Sequence, residues 1–262
     1  MKRHLPIKNI VASGTQAAVT LCVLLAVWWL GVTIFEPAPF ILPGPERVFA
    51  TLWNQFPMLA GHAWITLQEI ILGLLLGTFL GVATALTMTA LPLAKRYVLP
   101  VVMASQALPV FAIAPLLILW FGLGLGSKIA MATLIIYFPV ASALSDGLTR
   151  ADGNLIDLAR LCNASRWQTL IHFRLPAAMP SLASGLKVAA TIAPIGAIVG
   201  EWVGAAGGIG YVINQANARM QTDTVFAGLI VLIFMVVVLR LIIDKALDHF
   251  IHWVPDTQTS TL

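Results

Sequence analysis

The sequence predicts an all-α membrane protein of about six transmembrane helices, forming one transmembrane domain over residues 1–262. Three observations predict it. Apolar residues fill 59% of the 262 positions and charged residues only 10%, whereas soluble domains carry about 25% charged residues. Mean hydropathy is +0.92. Uncharged runs long enough to cross a bilayer recur, at Asn9–Phe35, Ile70–Ala94 and Tyr97–Ser127.

The first span follows a basic start (Lys2, Arg3, Lys8). A cleaved leader would have an apolar core of about 7–15 residues and a small-residue cleavage site. This run is longer and reaches Trp28-Trp29-Leu30, so it is expected to remain as a span. Phe35-Glu36-Pro37-Ala38-Pro39 breaks the helix, and Leu42-Pro43-Gly44-Pro45 forms a turn. From Glu46 to Phe56 a short amphipathic helix carries Val48, Phe49, Leu52 and Trp53 on one face, as a helix lying in the interface would. The second span opens near His62, with Gln68 and Glu69 interfacial. Gly73, Gly77 and Gly81 form a stripe that lets another helix of the subunit approach closely.

Lys95 and Arg96 mark the next turn. Pro100, Pro109 and Pro115 predict one kinked third span, Phe121-Gly122-Leu123-Gly124 a turn, and Lys128 the start of a fourth span ending near Leu144. A polar loop covers about residues 146–180. A fifth span runs from about Ser181 to Gly200, with Lys187 able to snorkel from its end. Glu201 to Asp223 reads as an exposed loop or short helix. The sixth span runs from about Thr224 to Leu239 or a little beyond, closed by Arg240 and Lys245.

Charge fixes the orientation. With the N-terminus inside, Lys2, Arg3, Lys8, Lys95, Arg96, Arg150, Arg160, Arg166, Arg174, Lys187, Arg240 and Lys245 fall on the cytoplasmic side. Only Arg47, Lys128 and Arg219 fall outside. Twelve basic residues against three satisfies the positive-inside rule, with both termini cytoplasmic. The net charge of +4 thus reflects topology rather than nucleic-acid binding.

The most polar stretch between spans runs from Asp157 to Pro176. It reads as two short helices, with Leu155, Ile156, Ala159 and Leu161 on the first and Trp167, Leu170, Ile171 and Phe173 on the second. Asn163 occupies the corner, because Asn accepts a left-handed backbone. Leu175-Pro176 is expected to stop the second helix. A polar hairpin between apolar spans is built to touch something outside the bilayer.

This stretch resembles the cytoplasmic EAA loop of permease subunits in bacterial ABC importers. That pattern is Glu-Ala-Ala, three residues, Gly, nine residues, Ile, one residue, Leu-Pro. Here Asp157, Leu158, Ala159, Asn163, Phe173, Leu175 and Pro176 keep the spacing, and four of the letters differ. The resemblance extends over Leu42-Pro43-Gly44-Pro45-Glu46-Arg47-Val48, Ala114-Pro115-Leu116, Trp120-Phe121-Gly122 and Gly207-Gly208-Ile209-Gly210-Tyr211, which are similar to the nitrate/sulfonate/taurine branch. Gly200-Glu201-Trp202-Val203-Gly204 and Asn217 to Asp223 are most similar to permeases for hydroxymethylpyrimidine-type thiamin precursors. The resemblance implies the type I importer permease fold in a bacterial inner membrane, a permease homodimer, separate ABC ATPase subunits and a solute-binding protein. It also implies a coupling role for Asp157, Ala159, Arg160, Asn163, Ala164, Arg166, Trp167, Leu170, Phe173, Leu175 and Pro176. Leu161, Trp167 and Leu170 would fill a groove on the ATPase, with Asp157, Arg160 and Arg166 at its rim.

No G-x-x-x-x-G-K-[ST] run occurs in the chain, so ATP hydrolysis is expected in another subunit and no catalytic residue or cofactor in this one. Gly204, Gly207 and Gly210 follow no strand and form no dinucleotide fingerprint. Cys22 and Cys162 are not placed for a disulfide, and no metal-ligand spacing appears. His172, His249 and His252 read as solvated. A self-sufficient channel or secondary transporter is the rival class, and it would show repeats and ionisable residues at mid-membrane depth. The substrate-path candidates are Gln106, Glu201, Trp202 and Tyr211. Gln106 either lines the path or satisfies the kinked backbone, and Glu201 is either a solute contact or a cap. Trp202 and Tyr211 offer stacking faces to a flat heteroaromatic ring, which fits a thiamin precursor; a sulfonate, taurine or nitrate solute is the alternative.

Topology is directly testable. Single cysteines at Ser165 and at Asn214, in a background lacking Cys22 and Cys162, are expected to react differently with an impermeant maleimide on intact cells. Position 214 labels and position 165 does not; labelling of 165 from outside refutes the orientation.

Overall fold

Helix α1 (Ile7–Phe35) ends where Glu36 takes a φ of 42° just ahead of Pro37. The computed structural model describes residues 7–251, so Lys2, Arg3 and His252 lie outside the described residues. Two compact units are present: Met1–Leu59 with Val212–Leu229, and Ala60–Tyr211 with Ile230–Leu262. Among the described residues every regular element is helical. Five helices are long and apolar enough to span a bilayer, and a bent pair makes a sixth candidate.

In the first unit, α2 (Pro45–Asn54) starts with proline at its first position, where the missing N–H costs nothing. Its predicted single apolar face is divided. Val48 is fully buried, while Phe49 and Trp53 point outward, Trp53 being 83% exposed. The reason is polar. Thr51 Oγ1 donates to Asp223 Oδ2 at 3.0 Å and Gln55 Nε2 to Thr224 Oγ1 at 3.4 Å. These bonds turn the other side of α2 toward the first turn of α11 (Thr222–Phe250). Trp28 bonds the Pro43 carbonyl at 3.1 Å and stacks on Phe226 with ring centres 5.5 Å apart.

The second unit is organised around α6 (Leu125–Thr149). Ile136, Val140, Leu144 and Leu148 of this helix are completely buried. They face α9 (Leu175–Gly204), which offers Ala178, Ala189, Ala193 and Ala197, also completely buried. Glycines bring the backbones together: a Cβ at Gly196 would lie 2.6 Å from the Ala132 Cα, and one at Gly185 2.9 Å from the Pro139 carbonyl oxygen. The predicted stripe on α3 (Phe56–Ala90) is used within the subunit: Gly73, Gly77 and Gly81 face Ala132, Ile136 and Val140 of α6.

Several boundaries differ from expectation. Lys95 and Arg96 lie within α4 (Pro92–Ala107), whose start is set by extended Leu91 and Pro92. The third span is broken rather than kinked: α4 and α5 (Val110–Phe121) meet at 104°. Pro109 offers no N–H and holds Leu108 extended, with φ −77° and ψ 118°. Pro100 and Pro115 stay inside their helices. Glu69 is completely buried rather than interfacial, and Lys128, one turn inside α6, is nearly so. Lys128 Nζ donates to the carbonyls of Leu123 and Gly124 at 2.9 and 3.1 Å.

The helix itself does not end at Arg240: α11 continues to Phe250. The Arg240 guanidinium bonds Asp244 Oδ2 at 3.0 Å, the Lys187 carbonyl at 2.8 Å and Thr191 Oγ1 at 2.9 Å. Lys187 Nζ reaches Asp244 Oδ1 at 3.2 Å, pairing across the α9–α11 contact rather than snorkelling alone. These bonds satisfy the charges locally and let the helix continue past them.

The close α6–α9 contact predicts a graded response to single methyl groups. Gly196→Ala places a methyl against the α6 backbone and is expected to lose about 1–3 kcal/mol. Gly61→Ala, which meets nothing within 4 Å, is expected to be neutral or mildly stabilising. Thermal midpoints of the two purified variants in detergent check this, and equal midpoints contradict the packing.

Candidate functional site

The polar hairpin begins at α7 (Gly153–Leu161), where the Asp152 carboxylate accepts the Asn154 amide at 3.0 Å as an N-cap. Asp157 and Arg160 pair at 2.9 Å, but side-chain exposures of 68% and 77% leave that pair little stabilising weight. Ala159 is buried. The helix ends as the sequence predicts, with Asn163 left-handed at φ 50°. Asn163 N–H donates to the Arg160 carbonyl at 3.0 Å and Ala164 N–H to the Ala159 carbonyl at 2.9 Å. Those two bonds are a Schellman closure, which supplies partners to the last carbonyls of α7.

The second arm, α8 (Arg166–Thr169), is started by a reciprocal cap that the sequence reading missed. Ser165 Oγ accepts the Gln168 amide at 3.2 Å, and Gln168 Oε1 accepts the Ser165 amide at 2.8 Å. The signal was present as Ser-x-x-Gln. The arm does not stop at Pro176. A π turn at Leu170–Arg174 follows, with the Leu175 N–H donating to the Leu170 carbonyl. This wide turn accommodates the N–H that Pro176 lacks, and the chain enters α9 without a break. The predicted apolar knob is also redistributed: Leu170 is 4% exposed and turned into the subunit core, while Leu161 and Trp167 stand 83% and 62% exposed. Phe173 is half-buried and His172 exposed, its Nδ1 3.2 Å from the Gln168 carbonyl. Between the hairpin and the end of α3 lies a cavity of 630 Å³, lined by Thr89, Ala90, Arg160, Arg166, Trp167 and Arg174 among others.

At the opposite ends of α3 and α9 a second polar cluster forms around the turn that enters α10 (Ile209–Ala218). Three successive amides there find side-chain acceptors from two helices. Gly208 N–H donates to His62 Nδ1 at 3.1 Å, Ile209 N–H to Thr66 Oγ1 at 2.8 Å, and Gly210 N–H to Glu201 Oε2. Thr66 in turn donates to Glu201 Oε1 at 2.6 Å. The carboxylate thus sits at a helix N-terminus, where backbone N–H groups lack partners of their own. The Glu69 carboxyl lies beside it, and Lys128 in turn lies near Glu69.

Of the four path candidates, three belong to this end of the subunit. Glu201 is 1% exposed with both oxygens engaged; the structure gives it the arrangement of a cap. Trp202 is 45% exposed, its ring 6.3 Å from Phe111 edge to face. Tyr211 packs its ring 6.0 Å from His62. Gln106 is separate, exposed at the end of α4 beside the Pro109 break.

Known proteins resemble this chain in sequence and in fold. Residues 48–254 match the family model described as "Binding-protein-dependent transport system inner membrane component". A probable ABC transporter permease protein of Haemophilus influenzae is 47% identical, covering 87% of this chain and 94% of its own length. The riboflavin transport system permease protein RibX of Chloroflexus aurantiacus is 33% identical over 90% of this chain and 88% of its own. The formylaminopyrimidine transport permease protein ThiX of Halalkalibacterium halodurans is also 33% identical, over 80% of this chain and 84% of its own. Among solved structures, a chain of the MetNI methionine ABC transporter in an inward-facing conformation superposes with a TM-score of 0.66 at 19% identity, covering 75% of this chain and 97% of that one. The all-helical span arrangement and the family match over most of the sequence place this chain in the binding-protein-dependent transport system inner membrane component family, as the permease subunit of an ABC importer.

Proposed function

We propose that the 157–176 hairpin is the cytoplasmic coupling element of this permease, docked on separate ATPase subunits, with a solute-binding protein at the opposite face and a second permease copy completing the pathway. The observation that carries this reading is the uninterrupted helical path Arg166–Gly204. At about 1.5 Å per residue it runs the whole depth of a bilayer, so movement of the hairpin is movement of a span. Ala159, Asn163 and Ala164 build the rigid corner, Leu161 and Trp167 are the exposed apolar contacts, and Leu170, Phe173, Leu175 and Pro176 root the arm. Asp157, Arg160 and Arg166 orient the contact at its rim.

The solute is proposed to be a flat nitrogen heteroaromatic of the hydroxymethylpyrimidine type. Trp202 supports this, since its partly exposed ring already holds an edge contact with Phe111, and such faces stack on planar rings. Two relatives at 33% identity are named as permeases for riboflavin and formylaminopyrimidine, both nitrogen heteroaromatics. Buried Glu201 needs no part in this recognition.

Two variants test the coupling. Asn163→Val strains the left-handed corner by about 1–2 kcal/mol, and Trp167→Ala removes an anchor of the sort that contributes about 2 kcal/mol or more to an interface. Both are expected at normal membrane levels with ATPase association lost or hydrolysis uncoupled from transport. Wild-type transport in both sinks the assignment.

For the solute, a thiamin auxotroph blocked in pyrimidine synthesis is grown on limiting hydroxymethylpyrimidine or its formylamino precursor, with and without this gene and its partners. Growth is expected to depend on the gene. If deletion leaves it unchanged and instead abolishes taurine or alkanesulfonate use, the sulfonate reading replaces this one.

A further inference from the structure

The capped turn at residues 207–211 is built around a carboxylate. Gly208 holds a φ of 108°, and a Cβ there would overlap the Glu201 carboxyl group. A Cβ at Gly210 would lie 2.7 Å from Glu201 Oε2. Only glycine meets both the backbone conformation at 208 and the space left there. Thr66 is the pivot of the cluster: its one hydroxyl donates to Glu201 and accepts from Ile209. Thr66, Ile209 and Glu201 are each at most 1% exposed, so neither carboxylate oxygen faces an open path.

Of the helices that hold this turn, α3 reaches the cavity at the hairpin and α9 continues the hairpin's second arm. Thr66 and His62 lie near the start of α3, and Thr89 and Ala90 at its end line that cavity. Glu201 lies near the end of α9, which continues the arm carrying Trp167. Both helices press on α6 through glycines with no space for a side chain, at Gly73, Gly77 and Gly81 on one side and Gly196 and Gly200 on the other. Contacts packed so tightly move together or switch; they do not stretch.

We propose that Glu201, Thr66 and His62 form a latch fixing the 207–211 turn to the far ends of α3 and α9, so that movement at the hairpin is delivered to this turn. Glu201 is thereby a positioning residue for transport and not a solute contact. The latch stands on geometry alone; its link to the ATPase rests on the coupling role proposed above.

The test uses the permease assembled with its ATPase subunits in nanodiscs, with a spin label on a single cysteine at Ala206, an exposed position beside the turn. In otherwise wild-type protein, ATP with vanadate is expected to shift the label spectrum. Thr66→Val keeps the side-chain shape and removes the hydroxyl, and Glu201→Gln removes the charge. Each is expected to make the label more mobile before ATP and to abolish the shift, the double variant adding nothing further. Thr66→Ser keeps the hydroxyl and is expected to restore both signals. Spectra of both variants matching wild type throughout overturn the latch, as does an effect of Glu201→Gln that Thr66→Val does not share. Mobility gained in the variants with no ATP–vanadate shift in wild type keeps the latch and overturns the coupling reading instead.

Discussion

The contact between α6 and α9 is the constraint on which the second unit depends. In lipid no hydrophobic drive favours helix association, because an apolar side chain is equally well accommodated by acyl chains. What remains is close van der Waals contact, and that requires small residues on at least one partner. Here α9 supplies Ala178, Gly185, Ala189, Ala193, Gly196 and Ala197 to the contact, and α6 supplies Ile136, Val140, Leu144 and Leu148. Backbone approaches backbone at Gly185 and Gly196, and the same α6 surface turns to receive the three glycines of α3.

This packing bears on the coupling role proposed for the hairpin. An arm joined to the membrane by a flexible linker would lose any imposed movement in the linker. Pro176 does not create such a joint, because the π turn ahead of it keeps the helix hydrogen-bonded through Leu175. The capped start at Ser165 and the Schellman closure at Asn163 stiffen the corner from both sides. Trp167 and Leu161 are then presented on a rigid support, which is the condition for an apolar contact to transmit displacement.

Three sets of polar groups inside the helical layer are held where they remove other unmet groups. Arg240, Lys187 and Asp244 neutralise one another across α9 and α11. Lys128 takes up two carbonyls at the α5–α6 turn. Glu201 and Thr66, with His62, take up the first amides of α10. An unmet polar group in hydrocarbon costs several kcal/mol, so these side chains shape the chain around them.

The spans, the hairpin and its left-handed corner were determined by local chemistry and legible in the sequence. Uncharged length reports lipid solubility directly, Asn163 sits where few other residues tolerate the backbone, and the stripe at Gly73, Gly77 and Gly81 has a period that only helix packing uses. What sequence could not decide is which way a side chain faces once partners compete for it. Leu170 is predicted on an outward knob and turns into the core, Glu69 is predicted in the interface and is buried, and Glu201 caps a helix that begins eight residues further along the chain. Proline was the other ambiguity: Pro109 breaks its span by 104°, whereas Pro100, Pro115 and Pro176 lie within continuous helix. The ring imposes the same local geometry at every site, but whether it ends, bends or merely widens the helix depends on the neighbours that can satisfy the freed carbonyl, and those are assembled only by the tertiary structure.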